Sequence, residues 1–242
     1  MAARVLVVED DPTVSGVLAA YLRRAGFEPQ VVVDGPSALR AWAEGRPDVV
    51  ILDIMLPGLS GLEVLQRRRG EDDSAAVIVL SARGDEEDRL VGLELGADDY
   101  MSKPFSPREA VLRVQALLRR GERLGATASR PRQIRAGSLL VDVAARTAQI
   151  GDRTLALTHR EFDLLAHLAS HPGETFTKEQ LMRRVWGWEF GDRTTVAVHV
   201  RRLREKIELD PSDPRLITTV RGAGYRFDGL VGEEVAAWAT SV

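Results

Sequence analysis

Cysteine is absent from the 242 residues, which excludes disulfides, thiolate nucleophiles and thiolate-ligated zinc. Histidine is nearly as scarce. The four present are scattered, which does not suit an imidazole metal centre. No apolar run approaches the roughly 18 residues that a membrane-crossing helix needs; Val49-Val50-Ile51-Leu52 is among the longest. The start, Met1-Ala2-Ala3-Arg4, leads straight into Val5-Leu6-Val7-Val8 without the layout of a signal peptide. A cytoplasmic protein without a membrane partner is expected. What is present is a 44% hydrophobic, 29% charged composition, that of a folded chain rather than a disordered one.

The net charge of −3 is unevenly divided. Residues 1–121 hold 15 Lys and Arg against 20 Asp and Glu, and residues 122–242 hold 18 against 16. A slightly basic second half is compatible with a polyanionic partner.

The hydrophobic pattern changes along the chain in the same place. In the first half, Val5–Val8, Val49–Leu52 and Val77–Leu80 are apolar at every position, as in parallel strands covered on both faces. Asp99–Ser102 reads as a further strand. Helical stretches alternate with these runs, so a doubly wound α/β domain is predicted for residues 1–121. Ser106-Pro107-Arg108-Glu109 has the spacing of a capping box opening its last helix. Residues 122–133 lose periodicity and read as a linker. Over 134–230, short alternating runs give way to helices opened by Thr158-His159-Arg160-Glu161 and Thr177-Lys178-Glu179-Gln180. A third helix follows, capped by Asp192 and running to about Glu208, and a hairpin spans Thr218–Phe227. This is an α+β domain. Residues 231–242 form a tail without an assigned role.

The chemistry of the first half lies at its strand ends. Glu9-Asp10-Asp11 follows one apolar strand and Asp53 ends another, where ligand sites of open parallel sheets form. Converging carboxylates repel unless a cation lies between them, and an oxygen-rich set suits Mg²⁺. Ser81 and Lys103, at two further strand ends, add a hydroxyl and an ammonium. A carboxylate in such a cup can act as nucleophile toward phosphorus, with the cation and the lysine neutralising charge.

Five segments in order, Val7-Val8-Glu9-Asp10-Asp11, Leu52-Asp53-Ile54-Met55-Leu56-Pro57-Gly58, Leu80-Ser81-Ala82-Arg83, Gly96-Ala97-Asp98-Asp99-Tyr100 and Lys103-Pro104-Phe105, resemble the motifs of response-regulator receiver domains, whose fold is flavodoxin-like. The resemblance implies that Asp53 is the phosphoacceptor and that Asp10 ligates Mg²⁺ directly. It implies that Glu9 does so through water and that Met55 contributes its backbone carbonyl. Ser81 and Lys103 would contact phosphoryl oxygens, and Tyr100 would be the aromatic that moves on activation. A cis bond is implied at Lys103-Pro104.

In the helix from Arg193 to Glu208, Val196, Val200, Leu203 and Ile207 form one buried stripe. Thr194, Val198, Arg201, Arg202 and Glu205 fall opposite it, with His199 and Arg204 on the flanks. Such a face suits either a major-groove helix or a solvated surface of Arg–Glu pairs. The hairpin carries Arg221 at a glycine-rich tip. Together with Leu157-Thr158-His159-Arg160-Glu161-Phe162-Asp163-Leu164-Leu165, this half resembles the winged helix-turn-helix effector domain of OmpR/PhoB-type regulators. By that resemblance Arg202 reads a base and Arg221 enters the minor groove. Thr194, Thr195, His199, Arg201, Arg204, Thr219 and Tyr225 complete the DNA contacts, mainly to phosphates. Ala197 stands where relatives often carry Asp, so no target sequence is implied. Trp186 is expected in the core, and Trp188 is a candidate contact for RNA polymerase.

The implied function is that of a transcription factor phosphorylated by a sensor histidine kinase and binding double-stranded promoter DNA. Phosphorylation would favour a homodimer through Arg89 with Glu109 and Asp99 with Arg113. The alternative is an atypical regulator that binds DNA independently of phosphorylation. A hydrolase of the haloacid dehalogenase type would need an acidic residue two positions after the nucleophile, where this chain has Met55. A switch is therefore expected rather than an enzyme, apart from its own phosphorylation and slow dephosphorylation.

Overall fold

The computed structural model describes residues 2–69, 75–82, 91–118, 133–187 and 194–229. The chain separates into two units, Met1–Arg119 and Arg120–Val242. In the first, five parallel strands form one sheet: β1 (Arg4–Val8), β2 (Glu28–Val32), β3 (Val49–Asp53), β4 (Ala76–Ala82) and β5 (Asp99–Lys103), in the order β2-β1-β3-β4-β5. Every residue of β3 and all but the last of β4 are buried, as uninterrupted apolar runs require when helices cover both faces. β2 was not anticipated. Its Glu-Pro-Gln-Val-Val sequence has no apolar run, and it lies at the sheet edge, where a proline costs no ladder bond.

Among the described residues, helices α1 (Pro12–Arg24), α2 (Gly35–Gly45), α3 (Gly61–Arg69) and α4 (Pro107–Leu118) accompany the sheet, with a further helical turn over residues 91–94. One core joins Val5, Val7, Ile51, Ile78 and Leu80 to Leu18 and Leu22 of α1 and Ala110 and Val114 of α4. Asp11 caps α1, accepting from the amides of Thr13 at 2.7 Å and Val14 at 3.2 Å. Those two bonds hold its carboxyl below the ordinary range. The expected reciprocal cap at Ser106 and Glu109 is corrected. The Ser106 carbonyl accepts from the Glu109 and Ala110 amides, while the Glu109 carboxylate binds Arg113.

The strand order reverses direction at β1, so the carboxyl ends of β1 and β3 border one crevice. The turn after β3 is drawn tight there. Gly61 N donates to the Ile54 carbonyl at 2.9 Å, and a Cβ on Gly61 would stand 2.0 Å from the Asp53 carbonyl oxygen. The Lys103–Pro104 peptide is cis.

In the second unit, β6 (Gln133–Ala136), β7 (Leu139–Asp142), β8 (Thr147–Ile150) and β9 (Arg153–Thr154) form an antiparallel sheet. Gln133, predicted as the end of the linker, already pairs with Asp142 in β6. The last of these strands is only two residues long. Then come α5 (His159–Ala169), β10 (Thr175–Phe176) and α6 (Lys178–Leu181), which continues as a π-turn over Met182–Trp186. α7 (Thr194–Ile207) precedes a hairpin of β11 (Ile217–Val220) and β12 (Gly224–Phe227), the latter paired also with β10. Asp192, expected to cap α7, lies outside the described residues.

Capping boxes at Thr158/Glu161 and Thr177/Gln180 form as their spacing predicts. α5 is buried from Arg160 to Ala169, and three of its charged residues join it to its neighbours. Asp163 meets Arg146 of the β7–β8 turn at 2.9 Å. Arg160 donates to the Val185 carbonyl at 2.8 Å. Glu161 takes Arg202 Nε at 2.8 Å and Lys206 Nζ, both from α7. Burial would raise the Glu161 carboxyl, but the charges of Arg202 and Lys206 leave it below its ordinary 4.5.

Two outcomes are expected. Gly61→Ala forces its methyl against the Asp53 backbone, and should cost the first unit about 1–3 kcal/mol in urea unfolding. Because the folded Glu161 pKa is depressed, its contribution is complete above pH 4.5 and is lost as pH falls through the folded value. Hydrogen-exchange protection of α5 should therefore drop in acid, and Glu161→Gln should flatten that dependence.

Candidate functional site

The crevice at the β1 and β3 ends gathers the acidic residues singled out in the sequence. Glu9, Asp10 and Asp53 each offer a carboxylate oxygen, all within 4.8 Å of one another. Glu9 is 0% exposed, Asp53 is 2% exposed, and Asp10 is open to solvent. Each sits where its strand stops, so the strand's apolar residues bury the backbone while the carboxylates face the crevice mouth.

Lys103, at the end of β5, bridges the two buried acids. Its Nζ stands 2.7 Å from Asp53 Oδ2 and 2.7 Å from Glu9 Oε2. Burial would pull the Lys103 ammonium down, but hydrogen bonds to Asp53 and Glu9 carry it above its ordinary value and it stays charged. For Glu9 burial pushes upward. The Lys103 hydrogen bond opposes it and the Asp53 charge reinforces it, leaving the carboxyl raised. One ammonium against three carboxylates leaves the crevice negative.

Ser81, at the end of β4, is buried, and its Oγ has no hydrogen-bond partner. A hydroxyl in that condition is available to an incoming acceptor. Met55 directs its amide to Asp53 Oδ1 at 3.1 Å, and its side chain is 67% exposed. Tyr100 is half-buried, next to Asp99 on β5. The set is compact, oxygen-rich and anionic. It has the donors that a hard divalent cation requires, and a carboxylate placed to attack an electrophile from within the cup.

The residues expected at a dimer interface are arranged differently from the expectation. Asp99 is buried and accepts from Arg113 Nη1 of the same chain at 2.8 Å, and Glu109 binds the same guanidinium. In the single chain, Asp99 and Arg113 pair with each other. Arg89 lies outside the described residues.

In the second unit, the DNA-contact expectations divide. Arg201, Thr219 and Arg221 are exposed and Thr194 is half-buried. Arg204 staples α7 to the hairpin, donating to the Ile217 carbonyl and to Thr219 Oγ1, each at 2.8 Å. Tyr225 is buried beneath it, its ring centroid 5.9 Å from the Arg204 guanidinium carbon. His199, expected on the helix flank, is 1% exposed; its Nδ1 lies 2.8 Å from the Thr195 carbonyl and its ring packs edge-on against Trp186. Thr195 and Val198 are buried too. The apolar stripe of α7 is thus wider than its four aliphatic positions suggested. In this structure the Thr195, His199 and Tyr225 side chains are packed within the unit. Arg202, expected opposite the core, has a side chain only 13% exposed, with Nε on Glu161. Trp186 is core as expected, and Trp188 lies outside the described residues.

Sequence reasoning missed two residues that set this geometry. Glu161 was read only as a cap. Glu208 accepts from the amides of Arg215, Leu216 and Ile217 at 2.8–2.9 Å and fixes the hairpin to the end of α7. No sequence motif marks that clamp; its partners lie seven to nine residues on.

The chain matches two family models: the response regulator receiver domain over residues 5–115, and the C-terminal domain of transcriptional regulatory proteins over residues 152–227. The sensory transduction protein RegX3 of Mycobacterium tuberculosis is 45% identical over 226 residues, covering 93% of this chain and 99% of the relative. The DNA-binding response regulator MtrA of Mycolicibacterium smegmatis is 44% identical over 227 residues, covering 93% and 97%. Among solved structures, the response regulator DrrB, an OmpR/PhoB homolog of Thermotoga maritima, superposes with a TM-score of 0.51 at 32% identity, over 95% of this chain and 100% of that one. A RitR mutant superposes with a TM-score of 0.73 at 26% identity, over 93% and 99%. The chain therefore belongs to the OmpR/PhoB-type two-component response regulators, a receiver domain followed by a winged-helix DNA-binding domain.

Proposed function

We propose that a sensor histidine kinase, or a small phosphoryl donor, phosphorylates Asp53, and that this controls binding of the second domain to promoter DNA. The observation that carries the reading is the buried Asp53 carboxylate held 2.7 Å from a charged lysine, beside two further acids and an unpartnered serine hydroxyl. Asp53 oxygen attacks the donor phosphorus, an aspartyl P–O bond forms, and the donor's P–N or P–O bond breaks with its electron pair leaving on the donor. Lys103 follows the charge onto the phosphoryl oxygens, and Ser81 Oγ donates to one of them. Asp10, Asp53 and the Met55 backbone carbonyl would hold Mg²⁺, with Glu9 acting through water. The bound ion supplies charge neutralisation for the phosphoryl group. Met55 cannot act as an acid or base, so nothing two residues from Asp53 speeds hydrolysis and the phosphate is stored. That is the behaviour of a switch rather than of a turnover enzyme.

The output follows from the same reading. Ser81 and Tyr100 move toward the phosphoryl group, and the β5–α4 face, where Leu112 is 59% exposed, becomes the contact of a homodimer. Two effector domains then engage two half-sites about one helical turn apart. Arg202 reads a base edge, Arg221 enters the minor groove, and Thr194, Arg201, Arg204 and Thr219 grip phosphates. RNA polymerase is the further partner in the cytoplasm. Among the described residues no helix is long and apolar enough to cross a membrane.

Acetyl phosphate with Mg²⁺ should place one acid-stable, base-labile phosphoryl group on the protein, mapped to Asp53 by mass spectrometry. Asp53→Ala should carry none. DNA footprints that are identical for wild type and Asp53→Ala under phosphorylating conditions would instead favour phosphorylation-independent binding. Arg201→Ala should weaken binding to all duplexes alike and lower the slope of log K against log salt by about one.

A further inference from the structure

Glu161 carries a charge that its cap does not need. At the start of α5, Thr158 N donates to Glu161 Oε2 at 2.9 Å, and Glu161 N donates back to Thr158 Oγ1. The box at the start of α6 closes with an uncharged residue. Thr177 N donates to Gln180 Oε1 at 2.8 Å, and Gln180 N to Thr177 Oγ1 at 3.2 Å. A side-chain carbonyl at the third helical position is therefore enough to cap a helix in this fold. The Glu161 carboxylate serves α7 instead, holding Arg202 Nε at 2.8 Å and Lys206 Nζ one turn further on.

Glu161 is wholly buried, so its pull on these cations is little screened by water. Arg202 is the more confined of the two, its side chain 13% exposed against 28% for Lys206. The Arg202–Glu161 contact is an ion pair without hydrogen-bond alignment. The buried charge confines where the guanidinium can lie, and bidentate reading of two acceptors on a purine edge depends on that placement. We propose that Glu161 is a positioning residue for base recognition: it holds Arg202 so that α7 discriminates among sequences and does not simply adhere to phosphates. This inference rests on the reading of α7 as the DNA-contacting helix.

The test uses the full-length protein, a duplex enriched from a random pool by the wild type, and a scrambled duplex of equal length. Glu161→Gln keeps the cap. It should lower the ratio of affinities for the two duplexes at least about fivefold, the lower end of one bidentate contact, with scrambled-duplex binding unchanged or tighter. Arg202→Ala should lose the same discrimination. The double variant should lose no more than Arg202→Ala alone, because both changes remove one function. Lys206→Met should leave the ratio as it is. In the wild type, nitrogen-15 relaxation should show the Arg202 Nε–H vector as ordered as the α7 backbone, a readout that needs no variant. A freely mobile Arg202 Nε–H vector, an unchanged ratio in Glu161→Gln, or equal weakening on both duplexes overturns the role of Glu161. Failure of the wild type to enrich any duplex overturns the DNA reading of α7 itself.

Discussion

Two carboxylates buried within 4.8 Å of each other cannot both stay charged without a counter-charge, and Lys103 supplies it to Glu9 and Asp53 together. The first domain is arranged around that demand. Reversal of strand order at β1 brings the ends of β1 and β3 side by side, and β5 delivers the lysine from two strands away. With Asp10 also in the cup, one ammonium leaves negative charge over. The crevice therefore favours a divalent cation, and with it an anionic group such as phosphoryl that shares the cation. The proposed storage of a phosphoryl group would depend on what surrounds Asp53 as much as on Asp53 itself.

The second domain solves a similar problem with α5. Burying Arg160, Glu161 and Asp163 in one helix would be costly if they stood alone. Each is spent on a neighbour: the π-turn through Val185, α7 through Arg202 and Lys206, and the β7–β8 turn through Arg146. Glu208 and Arg204 extend this stapling to the hairpin. Helix and wing therefore present their exposed cations, Arg201 and Arg221, from one framework of directional contacts.

Much of this was legible in the sequence because the relevant signals are local. β1, β3 and β4 declare themselves as runs of Val, Ile and Leu, and two capping boxes mark the starts of α5 and α6 to the residue. The acidic cup could be read because Glu9, Asp10, Asp53 and Lys103 each lie at or just past a strand end, and strand ends converge in this topology. β2 was hidden because an edge strand needs no apolar run, and the linker boundary was misplaced because β6 opens with a polar Gln133. The misreadings of α7 share a cause. Helical periodicity alone placed Val198 and Arg202 opposite the core and His199 on its flank. In the structure Trp186 covers His199, and a buried carboxylate from another helix draws Arg202 inward. The contact of Asp99 with Arg113 within the chain was not foreseen, because sequence spacing does not show that the two meet.

The central claim is that this cup binds a divalent cation and a phosphoryl group together. Its most direct measurement is amide NMR of the full chain titrated with beryllofluoride, with and without Mg²⁺. The account predicts shifts at Asp53, Met55, Ser81 and Lys103 that appear only when both are present and saturate at one equivalent. Unmoved resonances at those residues with both present would contradict it.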